Sequence, residues 1–283
     1  MLHGLPNVFA TVSIETLVGG GSWFTQSIRN STFAPLAFGQ VEFSHQRASI
    51  NWLLPCHDDE EFSALSSLVE NLTFEAGLRG SIFLLASALL DSAEFNLLRH
   101  QGFCTYGWEK FWQVDTSLLP AGTRKSTHWR SASSGDQHEI LQFQRHHLAP
   151  ALRAVTPLAD EILPDNILVI DGNIQGTATI VFSSSRAVMQ ILLDSRILNP
   201  QTYMQELIAM HTDRYTAWYI RQITGQDWME DHLRSLAQPV LARRELLVKH
   251  FAIREKLPLG ILNHSTENSH PDPVAPYVHS TKT

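Results

Sequence analysis

Apolar residues recur along this chain with two periods, and each change of period marks an element. Residues 38–43 (FGQVEF) and 48–55 (ASINWLLP) read as two strands joined by the polar turn 44–47, the second ended by Pro55, which cannot donate to a ladder. Phe62, Leu65, Leu68, Val69, Leu72 and Ala76 then recur at spacings of three and four, which predicts a helix with one apolar stripe. Asp58, Asp59, Glu60 and Glu61 precede it, where the helix dipole favours negative charge, and Gly77 and Gly80 supply its end. The unbroken apolar run 81–87 (SIFLLAS) predicts a strand covered on both faces. Residues 92–101 predict a short helix capped by Asp91 or Ser92 and stopped by Gly102. The aromatic-rich 104–115 predicts a long strand, with Trp108, Phe111 and Trp112 as core or domain-interface residues.

The second half runs through the same order. Residues 166–171 and 176–183 predict a hairpin around Gly172-Asn173, 187–193 a strand, and 200–210 a helix entered through Asn199-Pro200. Residues 215–221, 226–236 and 240–251 predict strand, helix and a long final strand. Four elements thus repeat at an offset of about 135 residues, the mark of a structural duplication. Before that repeat, 136–152 reads as one helix that Pro150 threatens to end early, and 118–127 (LLPAGTRKST), without periodicity, reads as a linker. Residues 256–283 are polar and proline-containing and read as a disordered tail.

Composition narrows the partners. The chain of 283 residues is 43% hydrophobic and 17% charged with a formal net charge of −7, ordinary for a globular protein. Nothing clusters lysine and arginine as nucleic acid or an anionic membrane surface requires. The first residues lack a basic segment followed by an apolar run, and no apolar run approaches a membrane span, so a cytoplasmic protein is expected. Cys56 and Cys104 are then expected to be reduced and buried. His146 and His147 are adjacent rather than one turn apart, so no metal site is expected.

The stretch 68–115 (LVENLTFEAGLRGSIFLLASALLDSAEFNLLRHQGFCTYGWEKFWQVD) resembles the C-terminal half of GCN5-related N-acetyltransferase (GNAT) domains. It shows a long helix, an apolar strand, a short helix ending in Gly102-Phe103, and an aromatic closing strand. The closing segments Trp112-Gln113-Val114 and Leu247-Val248-Lys249-His250 resemble those of two-domain members. The resemblance implies an α/β (α+β) fold of two tandem GNAT-like domains, each a mixed, mostly antiparallel sheet with flanking helices. Their expected bounds are 1–117, with an abbreviated N-terminus, and 128–255.

The resemblance also implies a chemistry: acyl transfer from acetyl-CoA to a primary amine of a small molecule or a protein. In that family two neighbouring strands part and the pantetheine arm lies between them, held by backbone groups. Here those groups belong to Trp52, Leu53 and Leu54 in the first half and Ile191, Leu192 and Leu193 in the second. Arg196 is the candidate phosphate contact, and Glu42 the candidate base if strand alternation points it into the cleft. Two departures oppose this chemistry. Both phosphate loops, 56–62 and 194–201, lack the glycines that let a backbone approach phosphate, and the first carries four carboxylates. The position of the family's proton-donating tyrosine holds Leu98 in one half and Leu233 in the other. Two readings stand side by side: an acyltransferase, and a catalytically degenerate tandem used for binding or regulation.

Overall fold

The computed structural model describes residues 22–29, 35–55, 61–119, 126–183, 186–211 and 217–251. The first half comprises β1 (Ser22–Arg29), β2 (Pro35–Ser44), β3 (Arg47–Pro55), α1 (Glu61–Leu78), β4 (Phe83–Leu89), α2 (Ala93–His100) and β5 (Cys104–Val114). The second comprises β6 (Trp129–Ser131), α3 (Gln137–His147), α4 (Pro150–Arg153), β7 (Asn166–Ile170), β8 (Asn173–Ser183), β9 (Arg186–Leu193), α5 (Pro200–Ala209), β10 (Ala217–Ile223), α6 (Glu230–Arg234), β11 (Ala237–Pro239) and β12 (Arg244–His250).

Local chemistry accounts for most boundaries. His45 takes a left-handed φ of 52° and turns β2 into β3. Of the two caps proposed for α2, Ser92 acts: its hydroxyl accepts from the Phe95 N–H at 3.1 Å. Gly102, at φ 85°, ends the same helix. Other expectations need correction. Residues 136–152 are two helices, because Pro150 has no N–H to continue α3 and instead opens α4 at its first position. The expected final strand 240–251 is shorter and follows a break: β11 pairs with β5, residues 240–243 cross over, and β12 starts at Arg244. Cys104 is free and exposed, contrary to the expectation of burial, since it begins β5 at the sheet's rim. Strands β1 and β6 were not foreseen. Cys56, the acids Asp58 to Glu60, most of the linker and the tail 256–283 lie outside the described residues.

All strands join one sheet in the order β1-β2-β3-β4-β12-β5-β10-β9-β8-β7-β6, with β11 alongside β5. The centre of this order is an exchange. The closing strand of the second half, β12, lies antiparallel to β4 along seven positions from Arg244↔Leu89 to His250↔Phe83. The closing strand of the first half, β5, lies antiparallel to β10 of the second. The two exchanged strands pair with each other. Each half therefore completes its sheet with the other's last strand.

Four helices cover one face. Leu68, Leu72, Leu97 and Leu98 pack on Leu84, Ala86 and Leu247, while Met204, Leu207 and Leu233 pack on Trp112, Met189 and Trp218. The opposite face carries α3 and α4, whose Phe143, Leu148 and Leu152 meet Leu192, Ile223 and Leu246. Arg47 ties the first half to the segment after α4: its guanidinium forms a bidentate pair with Glu161 and donates to the Val155 carbonyl at 3.1 Å. Among the described residues no helix is long and apolar enough to cross a membrane.

Leu247 belongs to the second half, is fully buried, and fills the core of the first. Leu247→Ala is expected to cost about 2–5 kcal/mol, read as a lower urea midpoint. Fluorescence of the second-half Trp218 and far-UV circular dichroism should report one coincident transition, because the exchanged strands couple the halves.

Candidate functional site

β3 and β4 are parallel neighbours, but they pair only at Arg47↔Phe83, Ala48↔Leu84 and Ser49↔Leu85. Beyond Ser49 the strands diverge. β3 keeps its ladder to β2 as far as Pro55, so it stays extended while its other edge is released from β4. A cavity of about 260 Å³ occupies the gap, walled by residues 50–54 of β3, 86–89 of β4, Leu98 and Glu94 of α2, and Arg244. Trp52, Leu53 and Leu54 are among the residues that line this slot, and so is Leu98.

A second cavity of about 110 Å³ lies on the opposite face, beneath α3 and α4. Its walls come from both halves: Ser49 and Leu85 from the first, Leu192, Arg221 and Leu246 from the second. Ile50, Ala86 and Ser87 line both cavities, so slot and chamber lie on either side of these residues, where β3 and β4 separate. The Ser87 hydroxyl at this junction is buried and has no hydrogen-bond partner among the described residues.

The corresponding place in the second half is closed. β9 and β10 stay paired at five positions, from Ala217↔Arg186 to Arg221↔Gln190. Just past the last pair a side chain bridges them. Gln226, 2% exposed, donates from Nε2 to the Ile191 carbonyl and accepts at Oε1 from the Ile223 N–H at 3.1 Å. Its own carbonyl accepts from Gln222 Nε2 at 2.9 Å, and Gln222 Oε1 accepts from Trp112 Nε1 at 2.8 Å. The amide uses the backbone groups that a ligand in this gap would need. Ile191 and Leu193 are buried in the core beneath α5 and α6, whereas Leu192 turns to the chamber. Arg196 stands away from both cavities with 83% of its side chain exposed, and its Nη2 donates to Asp194 at 2.6 Å. The Arg196 guanidinium pulls the Asp194 carboxyl down to about 2.

Glu42 is buried, 3% exposed, on the chamber face of β2 beside its cross-strand partner Ser49. Asn51, which lines the slot, donates to Glu42 Oε2 at 3.1 Å, while Oε1 has no partner among the described residues. Burial pushes the Glu42 carboxyl above its ordinary range, and the Asn51 hydrogen bond offsets part of that rise. Sequence reasoning missed Ser87, Gln226, Glu109, Arg221 and Arg244. One signal was available: Glu109 keeps step with Phe111 along β5, and a charge in register with buried aromatics marks an internal polar site.

No family model and no curated protein matches the sequence. Solved structures do. A GCN5-related N-acetyltransferase from Kribbella flavida matches with a TM-score of 0.56 at 13% identity, over 87% of this chain and 96% of that one. A functionally unknown conserved protein from Staphylococcus epidermidis gives a TM-score of 0.55 at 12% identity, over 85% and 98%. A GCN5-related N-acetyltransferase from Sphaerobacter thermophilus gives 0.51 at 11% identity, over 80% of each chain. At these identities the likeness is one of fold.

Two measurements follow from this geometry. Gln226→Leu leaves the Ile191 carbonyl and Ile223 N–H buried without partners and is expected to destabilise by about 2–4 kcal/mol, seen in the urea midpoint. Glu42 has a folded-state pKa above its unfolded value, so the folded state binds the extra proton. Stability should fall as pH rises from the ordinary value of 4.5 through the raised one. Glu42→Gln should flatten that part of the stability–pH profile.

Proposed function

We propose that this chain, which has the GNAT fold, is an acyl-CoA-dependent N-acyltransferase with a single working donor slot, between β3 and β4 of the first half. One observation carries the reading: the parting of β3 and β4 opens a cavity whose wall residues Ile50, Ala86 and Ser87 also line a chamber on the other face. An extended arm bearing amides is the chemistry a released strand edge recognises, and residues 50–54 offer such an edge. Acetyl-CoA fits the slot as an acyl donor, and when bound it would supply an activated thioester carbonyl. The acceptor, a primary amine, would enter from the chamber.

The residues act mainly by position. Two of the three residues at the junction, Ile50 and Ala86, are apolar, and the wall they form with Ser87 would bring donor and acceptor together. Glu42 takes up, through an intervening water, the proton that the acceptor nitrogen loses; its burial sets it closer to neutral pH, where a general base works well. Ser87 Oγ is the hydroxyl placed to donate a hydrogen bond at the junction. The degenerate reading is retained for the second half alone, on the strength of the Gln226 bridge. The acyl specificity and the cytoplasmic setting belong to the same proposal.

Calorimetric titration with acetyl-CoA tests it. One site per chain is expected. Ala88→Leu, which fills the slot, should abolish binding, and Gln226→Leu should leave it intact. No heat from the wild-type protein, or a site unaffected by Ala88→Leu, would refute the reading. With an acceptor in hand, kcat/KM should rise with pH through the raised Glu42 pKa, and Glu42→Gln should lose that limb together with about 10²–10⁴ in rate.

A further inference from the structure

The chamber under α3 and α4 holds about 110 Å³, below the roughly 150 Å³ of an engineered cavity that takes benzene. Leu85, Phe111, Leu148, Leu152, Ile223 and Leu246 supply apolar wall on both its sheet side and its helix side. The charged and amide side chains of the wall are engaged with other groups. Arg221 donates from Nε to Glu109 Oε2 at 2.7 Å and from Nη1 to Gln190 Oε1 at 2.8 Å. Gln144 Oε1 accepts from the Ala159 N–H at 2.8 Å. Two buried polar atoms at the junction end differ from these: Ser87 Oγ and Glu42 Oε1 have no hydrogen-bond partner among the described residues. Glu42 pairs across the ladder with Ser49, which lines the chamber, and its Oε2 accepts from Asn51, which lines the slot. Buried polar atoms without partners are rare, and two at one end of a wall otherwise engaged mark where a ligand's polar group belongs.

We infer that the chamber takes a primary amine whose remaining body is small and apolar, such as a short branched alkylamine. The inference rests on the acyl-transfer reading and deepens it by naming the acceptor class. The nitrogen is the ligand's one polar group and belongs at the end marked by Ser87 and Glu42, where its N–H groups meet a hydroxyl and a carboxylate oxygen. Arg244 stands at the same end, its Nη2 donating to the Ser87 carbonyl at 2.6 Å and its Nε 3.9 Å from Glu109 Oε1. Charges of both signs are therefore present there, and the ligand class is set by the apolar body rather than by net charge. That body lies under α3 and α4 against Leu148 and Leu152. A second polar group at the far end would lose its water among side chains that already hold partners, at a cost a hydrocarbon does not meet.

Calorimetry on the full-length protein with two amines of equal size tests this: 3-methylbutylamine, and 1,4-diaminobutane, which carries a second polar group at its far end. The first is expected to bind about tenfold or more tightly, the gain from burying its terminal methyl groups. Ser87→Ala should weaken both amines alike, by about threefold or more, because the hydroxyl meets the nitrogen they share. Leu152→Gln, which makes the far wall polar, should narrow the gap between them. Equal or tighter binding of 1,4-diaminobutane, an effect of Ser87→Ala on one amine alone or on neither, or no binding of 3-methylbutylamine at millimolar concentration would overturn the inference. So would an unchanged gap in folded Leu152→Gln, and if that variant does not fold, Ser87→Ala decides. Acetyl-CoA titrated into the same samples separates the two claims. CoA binding kept without amine discrimination removes the chamber assignment alone, and discrimination without CoA binding removes the donor slot alone.

Discussion

Strand β12 lies between β4 and β5, and much of the molecule depends on that insertion. It joins both neighbours by antiparallel ladders, brings Leu247 into the first core and Leu246 into the chamber wall, and carries Arg244 to the junction of slot and chamber. Without it β4 would have an open edge over its whole length, and both faces of the first half would lose apolar contacts. The same exchange sets β5 against β10, which brings Glu109 within reach of Arg221. The polar site is therefore a product of the pairing between halves.

The two halves share a topology and differ at one decisive point. In the first, the parallel pair β3–β4 ends after three positions and a cavity follows. In the second, the parallel pair β9–β10 runs for five positions and Gln226 then satisfies the backbone groups that remain. A buried backbone group without a partner is costly, so an empty gap between strands must be filled by water, a ligand or a side chain. The second half has adopted the side chain. The halves differ at this gap although the loops that follow it, 56–62 and 194–201, both lack glycine.

Much of the architecture was legible in the sequence because it rests on periodicity. The helix stripe of Leu65, Leu68 and Leu72, the cap at Ser92 and the aromatic strand around Trp112 are local patterns, and they appear as expected. The slot residues Trp52, Leu53 and Leu54 were reached by resemblance, and they border a cavity. What stayed hidden depends on partners far apart in the chain. The strand exchange leaves no local mark, because β5 and β12 show the same alternation whichever neighbour they meet. Gln226 reads as an ordinary polar residue before a helix until its distance to Ile191 is known. Arg196 stands away from both cavities, and its guanidinium is held by its own neighbour Asp194.

The exchange also governs the order in which the chain becomes a protein. Arg244 contacts Ser87 across 157 residues of sequence, and the β4 edge can be covered only after the final strand has been synthesised. A nascent first half leaving the ribosome would display an unclosed apolar sheet throughout translation of the second, a long interval of exposure to aggregation. Such long-range closure also slows folding intrinsically. For the same reason the halves could not have drifted apart into separate genes without each first acquiring a closing strand of its own.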